Sequence, residues 1–261
     1  MPDATLDGAV IHYEIAGDGF PLVLLHGIGS NSRSWSRQLS ALSPGFKVIA
    51  WDAPGYGRSS DPPGPPVTPS MTFYADRLRR LLDSLQLDRF FLLGHSTGGV
   101  IAQEFYRAHP DRVRALILAD TRCVGSPAAL DERLQSIRTK SPSQIAAARG
   151  PKLLSSAAPP DLVDEVVSIM SEIRPAGYEF AAVALAGSDT RDVVHSLRVP
   201  ALLIWGAEDE ITPVWEEIPQ GARFEVIPEA GHLCYIEKPD AFNQIVNDFW
   251  RSIQPRSGDR M

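Results

Sequence analysis

The sequence predicts an α/β protein built on a mostly parallel, eight-stranded sheet flanked by helices, with a helical cap inserted after the sixth strand. Three observations carry that expectation. Short, continuously apolar runs alternate with stretches of helical periodicity, the pattern of a parallel sheet covered on both faces. Residues 90–106 read as strand, sharp turn and helix, with a serine at the tip of the turn. Between residues 121 and 198 the β pattern disappears, and it returns at 201. At 261 residues with 44 % hydrophobic content, one domain carrying an insertion fits better than two independent domains.

Taken in order, residues 5–15 form a hairpin with Asp7-Gly8 at its turn, because that dipeptide accepts the positive φ angles of a tight hairpin. Residues 21–25 are continuously apolar and end at His26-Gly27-Ile28-Gly29-Ser30. A helix over 34–42 stops before Pro44-Gly45, and a strand over 47–52 runs into the glycine-rich loop 53–59. Five prolines between 61 and 69 make a stiff surface connection. Ser70 then caps a helix whose stripe is Tyr74, Leu78, Leu81, Leu82 and Leu85. Strand, turn and helix follow to Ala108, and 113–120 is the next strand.

From 121 to 198 the periodicity predicts four short helices, separated near Pro142, at Pro159-Pro160 and before Tyr178. That is more than a crossover requires, so most of this segment should cap the end of the sheet where Ser96 lies. Residues 1–120 and 199–253 then make the core. Strands at 201–205 and 224–227 and an amphipathic helix carrying Phe242, Ile245, Val246, Phe249 and Ile253 complete it. The polar residues 254–261 read as a flexible tail.

The chemistry should sit at Gly94-His95-Ser96-Thr97-Gly98. A serine at a strand-to-helix turn is held clear of both elements, and small flanking residues let the backbone double back. Its hydroxyl is a poor nucleophile without an imidazole as base and a carboxylate to fix that imidazole's tautomer. His232, in the loop after the last strand, and Asp209, in the loop after residues 201–205, supply them. Asp120, also at the end of a strand, is the rival acid. A developing oxyanion needs two backbone N–H groups, for which Thr97 and Ile28 are the candidates. His26 and His95 read as loop-shaping hydrogen-bonders, and Trp51, Trp205 and Tyr56 as core residues or pocket walls.

The formal charge of −7 argues against a nucleic-acid partner. No run reaches the length of a membrane span and no basic–apolar leader opens the chain, so a cytoplasmic setting without a membrane partner is expected. Cys123 and Cys234 form no CxxC pair or disulfide framework. HExxH, GK[ST] and GxGxxG patterns are missing, and neither metal nor cofactor is expected. Oligomeric state stays open between monomer and homodimer.

His26-Gly27, the loop Asp52-Ala53-Pro54-Gly55-Tyr56-Gly57-Arg58-Ser59, Gly94-His95-Ser96-Thr97-Gly98-Gly99, Gly206-Ala207-Glu208-Asp209 and Gly231-His232 together resemble the α/β-hydrolase fold-1 family. The resemblance spans about residues 10–253 and is loosest across the cap. It implies that Ser96, Asp209 and His232 form a triad and that Ile28 and Thr97 donate oxyanion-hole amides. The core is similar to 3-oxoadipate enol-lactonases, meta-cleavage-product C–C hydrolases, haloperoxidase-like esterases and simple carboxylesterases. Dehalogenases and capped epoxide hydrolases of this fold carry aspartate where Ser96 stands. Thr97 departs from the Met, Leu or Gln frequent after the nucleophile, and its branched side chain should alter the pocket floor.

The implied function is serine-dependent hydrolysis of a small carboxylic ester or lactone through an acyl-enzyme. The alternative is C–C bond hydrolysis of a vinylogous diketone, for which Arg33, Arg122, Arg133 and Arg149 are candidate anion partners. A receptor that keeps the fold without the chemistry is disfavoured by the intact serine, acid and histidine.

Overall fold

The computed structural model describes residues 2–215 and 217–254. The expected flexible tail, from residue 255 onward, lies outside them. Eight strands form one sheet in the order β1-β2-β4-β3-β5-β6-β7-β8. The hairpin comes first, as β1 (Asp3–Leu6) and β2 (Ala9–Ala16). Asp7 and Gly8 take φ of 50° and 81° at its turn. Strands β1/β2 and β2/β4 pair antiparallel, with β4 spanning Phe46–Trp51, and every later pairing is parallel.

The central strands are β3 (Phe20–Leu25), β5 (Phe90–His95), β6 (Val113–Ala119) and β7 (Ala201–Gly206), with β8 (Arg223–Ile227) at the edge. Their apolar runs are covered on both faces. On one face lie α2 (Met71–Ser84) and α3 (Thr97–Ala108), on the other α1 (Ser36–Leu42) and the amphipathic helix Pro239–Ile253. Ser70 caps α2 by accepting the Phe73 N–H at 3.1 Å, as its sequence position predicts. The helix expected over 34–42 begins with a 3-10 turn, Ser32–Trp35, because Asn31 caps the Arg33 N–H and the Asp52 carboxylate takes the Ser32 N–H.

Strand β3 lies between β4 and β5, with Leu25 level with Gly94, so the connections leaving β3 and β5 diverge from neighbouring carboxyl ends. That is the topological switch point where α/β sheets bind ligands. It places the loop after His26 against the turn that carries Ser96.

Between β6 and β7 the chain forms α4 (Pro127–Thr139), α5 (Pro142–Arg149), α6 (Pro160–Met170), α7 (Pro175–Ala186) and a short α8 (Arg191–His195). Each of the first four opens on a proline, whose missing N–H costs nothing in the first helical turn. The prolines that sequence reading treats as separators are therefore helix starts. α8 is one helix more than the periodicity predicts. It returns to the core, where Thr190 donates to Gln103 of α3 at 2.8 Å and Arg107 pairs with Asp192. The remaining helices lie over the carboxyl ends of the strands: Arg174 joins Asp61 at 2.7 Å and the carbonyl of Ser59 at 2.5 Å. The Leu233 N–H reaches Leu153 at 3.1 Å.

Candidate active site

Ser96 stands between β5 and α3 at φ 53° and ψ −119°, a conformation that costs a residue with a Cβ about 1–3 kcal/mol. The turn closes because its flanks have no side chains. A Cβ on Gly94 would lie 2.3 Å from the Gly98 carbonyl oxygen, and one on Gly98 would lie 2.2 Å from that of Leu25. The strain aims the Ser96 hydroxyl out of the sheet, where His232 Nε2 lies 3.0 Å away. His232 Nδ1 lies 3.0 Å from Asp209 Oδ2. With Asp209 ionised, Nδ1 carries the proton and donates, and Nε2 accepts from Ser96. The three predicted residues come together in one hydrogen-bonded row.

The Asp209 side chain is 1 % exposed. Burial pushes its carboxyl up, but His232 and the N–H groups of Ile211 and Thr212, at 2.8 and 3.1 Å from Oδ1, outweigh it and hold the group below the usual carboxylate range. Asp120, the rival acid, is fully buried beside it. Oxygens of the two carboxyls and a His232 ring nitrogen lie within 4.8 Å of one another. Asp120 accepts from the Gly206 N–H at 2.8 Å and from the Cys234 thiol at 3.0 Å. Burial, and then the charge of Asp209, pushes its carboxyl well above the usual range. The two shifts run in opposite directions, favouring the anion on Asp209, which faces the imidazole, and the proton on Asp120.

Ile28 and Thr97, the candidate amide donors, lie in the two segments that flank Ser96. Thr97 N–H is the first of α3, where helix geometry provides no carbonyl for it. Ile28 lies inside a tight turn, Gly27 to Ser30, closed by Ser30 N–H to Gly27 O at 3.2 Å with Gly29 at φ 80°. A Cβ on Gly27 would lie 3.1 Å from that of Ser96, so this turn passes directly over the serine. The Thr97 side chain does not form the pocket floor as expected. It is buried, and its hydroxyl has no partner among the described residues, while His95 and Ser96 line the cleft at this point.

The cleft encloses about 580 Å³ of space between atoms, its open mouth included. Ser96 and His232 line it, together with the apolar Val166, Ile169 and Met170 of α6. Of the four arginines singled out in sequence, Arg133 and Arg149 line it. Arg33 pairs with Glu172, and Arg122 donates to the Ile211 carbonyl at 2.9 Å. Trp51 and Trp205 are core residues. Tyr56 is also buried, with its ring edge-on to His26.

A model of the alpha/beta hydrolase family matches residues 22–245. The chain belongs to this family. Relatives of the hydrolase include 3-oxoadipate enol-lactonase 2 of Acinetobacter baylyi, 28 % identical over 257 residues that cover 93 % of this chain and 93 % of that protein. Among solved structures, a thermophilic esterase from Thermogutta terrifontis with malate bound superposes with a TM-score of 0.89 at 31 % identity, covering 97 % of this chain and 99 % of that one. The enol-lactonase from Burkholderia xenovorans LB400 does so with a TM-score of 0.86 at 27 % identity, covering 96 % and 100 %. Among the described residues of the hydrolase, no helix is long and apolar enough to cross a membrane.

Two further histidines of the hydrolase shape its loops. His26 donates from Nδ1 to the Gly27 carbonyl at 2.9 Å and accepts the Ala53 N–H on Nε2 at 3.0 Å, so it is neutral, and burial lowers its pKa. His95 donates from Nε2 to the His232 carbonyl at 2.7 Å, positioning that loop. Burial, and then neighbouring His232, pushes the His95 imidazole down to about 3 from its ordinary 6.5. Between those values the unfolded chain binds protons that the folded chain does not. Folding stability should therefore be full above about pH 6.5 and fall as pH drops toward 3, by up to about 1.4 kcal/mol per pH unit for each such group. Scanning calorimetry should show the unfolding midpoint falling through this window. A midpoint that rises on acidification would contradict the assignment of both rings as neutral.

Proposed function

We propose that the hydrolase cleaves small carboxylic esters or lactones through an acyl-enzyme on Ser96. The observation that carries this reading is the row Ser96 Oγ–His232 Nε2–Asp209, with 3.0 Å at each step, opening onto a cleft with apolar walls. His232 Nε2 takes the hydroxyl proton as Ser96 Oγ attacks the ester carbonyl. The charge that develops on the carbonyl oxygen faces the N–H groups of Ile28 and Thr97. The C–O bond to the alcohol then breaks, and the His232 proton passes to the leaving alkoxide. Water enters, gives a proton to His232 and attacks the acyl-enzyme, and collapse returns that proton to Ser96 as the acid leaves. Asp209 holds the Nδ1 proton throughout and steadies the imidazolium.

The names of the relatives, enol-lactonases and an esterase, support the same substrate class. The helices 127–186 act in this reading as a cap that excludes water and sets acyl length.

Initial rates on p-nitrophenyl esters from acetyl to dodecanoyl, with small lactones alongside, test the proposal. Turnover should be highest on short acyl chains, because the cleft encloses only about 580 Å³ and Val166, Ile169 and Met170 stand in its wall. Turnover of a vinylogous diketone with none of any ester or lactone would replace the proposal with C–C bond hydrolysis.

A further inference from the structure

The cleft holds more positive charge than ester hydrolysis needs. Arg133, on α4, is 8 % exposed, and among the described residues it pairs with no carboxylate. Its Nε has no hydrogen-bond partner, and the hydroxyl of Tyr178 on α7 is its polar neighbour. Arg149, at the last turn of α5, lines the same cleft, and its Nε is also buried without a partner. Its carboxylate contact, Glu132, is 3.8 Å away and largely exposed to water. Burial lowers the Arg133 pKa, Tyr178 partly offsets this, and the charges of Arg149 and Arg122 lower it further. A guanidinium nonetheless keeps its proton in any protein environment.

A buried guanidinium without a counter-ion is costly, because desolvation is not repaid by an opposite charge. Arg133 is such a group, and Arg149, half-buried with only a long contact to Glu132, lines the same cleft, so that the Nε donor of each is unused. No carboxylate stands among the described residues lining the cleft, which include the apolar Leu153, Val166, Ile169 and Met170. The donor fork of arginine matches a carboxylate in two parallel hydrogen bonds. We propose that the substrate carries a second carboxylate, held by Arg133 with Arg149, so that the acid released on hydrolysis is a dicarboxylate. This rests on the ester or lactone reading for its chemistry, but the anion site itself rests on the two arginines.

Selectivity follows from the geometry. Ser96 and the arginines line one cleft, so an uncharged ester leaves both guanidiniums unsatisfied while the carboxylate analogue completes them. An acidic protein repels such a substrate in bulk solution. The attraction must therefore be local, and it should weaken little with added salt, because a buried pair is poorly screened.

The test compares the monoethyl esters of succinate, glutarate and adipate with ethyl butanoate, pentanoate and hexanoate, following acid release in a pH-stat. For the best-fitting chain length the carboxylate ester should have the higher kcat/KM. In Arg133→Met the ratio of carboxylate to uncharged ester should fall by roughly 30-fold or more, the loss expected when one partner of a buried charge pair is truncated. Arg133→Lys keeps a cation and should retain part of the preference, and Arg149→Met should reduce it independently. Calorimetric titration of wild type and the same variants with succinate, glutarate and adipate gives a readout that needs no turnover. Dicarboxylate binding that depends on Arg133, with no ester hydrolysed, would uphold the anion site and overturn the hydrolytic reading. Hydrolysis of uncharged esters with no carboxylate preference and no dicarboxylate binding would overturn the anion site and leave the hydrolytic reading standing.

Discussion

Ser96→Ala should lower kcat on any ester substrate by a factor on the order of 10⁴ or more, with the fold retained. The substitution deletes one oxygen and keeps the Cβ, so the strained backbone at φ 53° is neither relieved nor worsened. His232 loses its Nε2 contact, but its Nδ1 stays with Asp209 and its carbonyl stays with His95 at 2.7 Å. The loop therefore keeps two of its anchors, and the unfolding midpoint should move by no more than a few degrees. Paired steady-state rates and thermal melts check both halves. Turnover near the wild-type level would mean that another group attacks the carbonyl. A collapse of the melt would mean that the hydroxyl holds the loop rather than serving the reaction.

Asp209→Asn should be almost as damaging, and Asp120→Asn should not. In Asp209, Oδ1 accepts the N–H groups of Ile211 and Thr212, which fixes the side-chain orientation. An asparagine must keep its carbonyl oxygen on those donors and turn its NH₂ toward His232 Nδ1. That forces the ring proton onto Nε2, where it can no longer accept from Ser96. The drop in kcat from the wrong tautomer should be about 10⁴-fold. Burial and the charge of Asp209 favour a proton on Asp120, and asparagine reproduces the shape of the neutral acid and can still accept from Gly206. Its loss should be less than about tenfold, the scale of one rearranged hydrogen bond. Parallel kinetics of the two variants decide between the carboxyls. A larger drop in Asp120→Asn would exchange their roles.

The sheet was legible because its inner strands, such as Leu22-Val23-Leu24-Leu25, are apolar on both faces and bounded by turn residues. The turn at Ser96 was legible because Gly94 and Gly98 can be nothing larger. The order of Ser96, Asp209 and His232 along the chain also told which loops must meet. What the sequence could not carry depends on three-dimensional neighbours. α8 is five residues long and too short to show a period. The upward shift of the Asp120 carboxyl follows from complete burial beside Asp209, which no spacing reveals. Arg133 and Arg149 look like Arg33 and Arg122 in sequence. They separate only when α4 and α5 fold over the cleft, while Arg33 finds Glu172 and Arg122 finds the Ile211 carbonyl. The Thr97 side chain was expected in the pocket floor because it follows Ser96, but the first turn of α3 carries it into the protein.

The proposed mechanism requires that Ser96 become covalently modified. Intact-protein and peptide mass spectrometry after treatment with diethyl p-nitrophenyl phosphate tests it most directly, since the reagent transfers one diethylphosphoryl group to an activated serine and releases p-nitrophenol. A single adduct on the peptide bearing Ser96, missing in Ser96→Ala and strongly slowed in His232→Ala, is the expected result. An unmodified protein, or an adduct that persists in Ser96→Ala, would contradict the account.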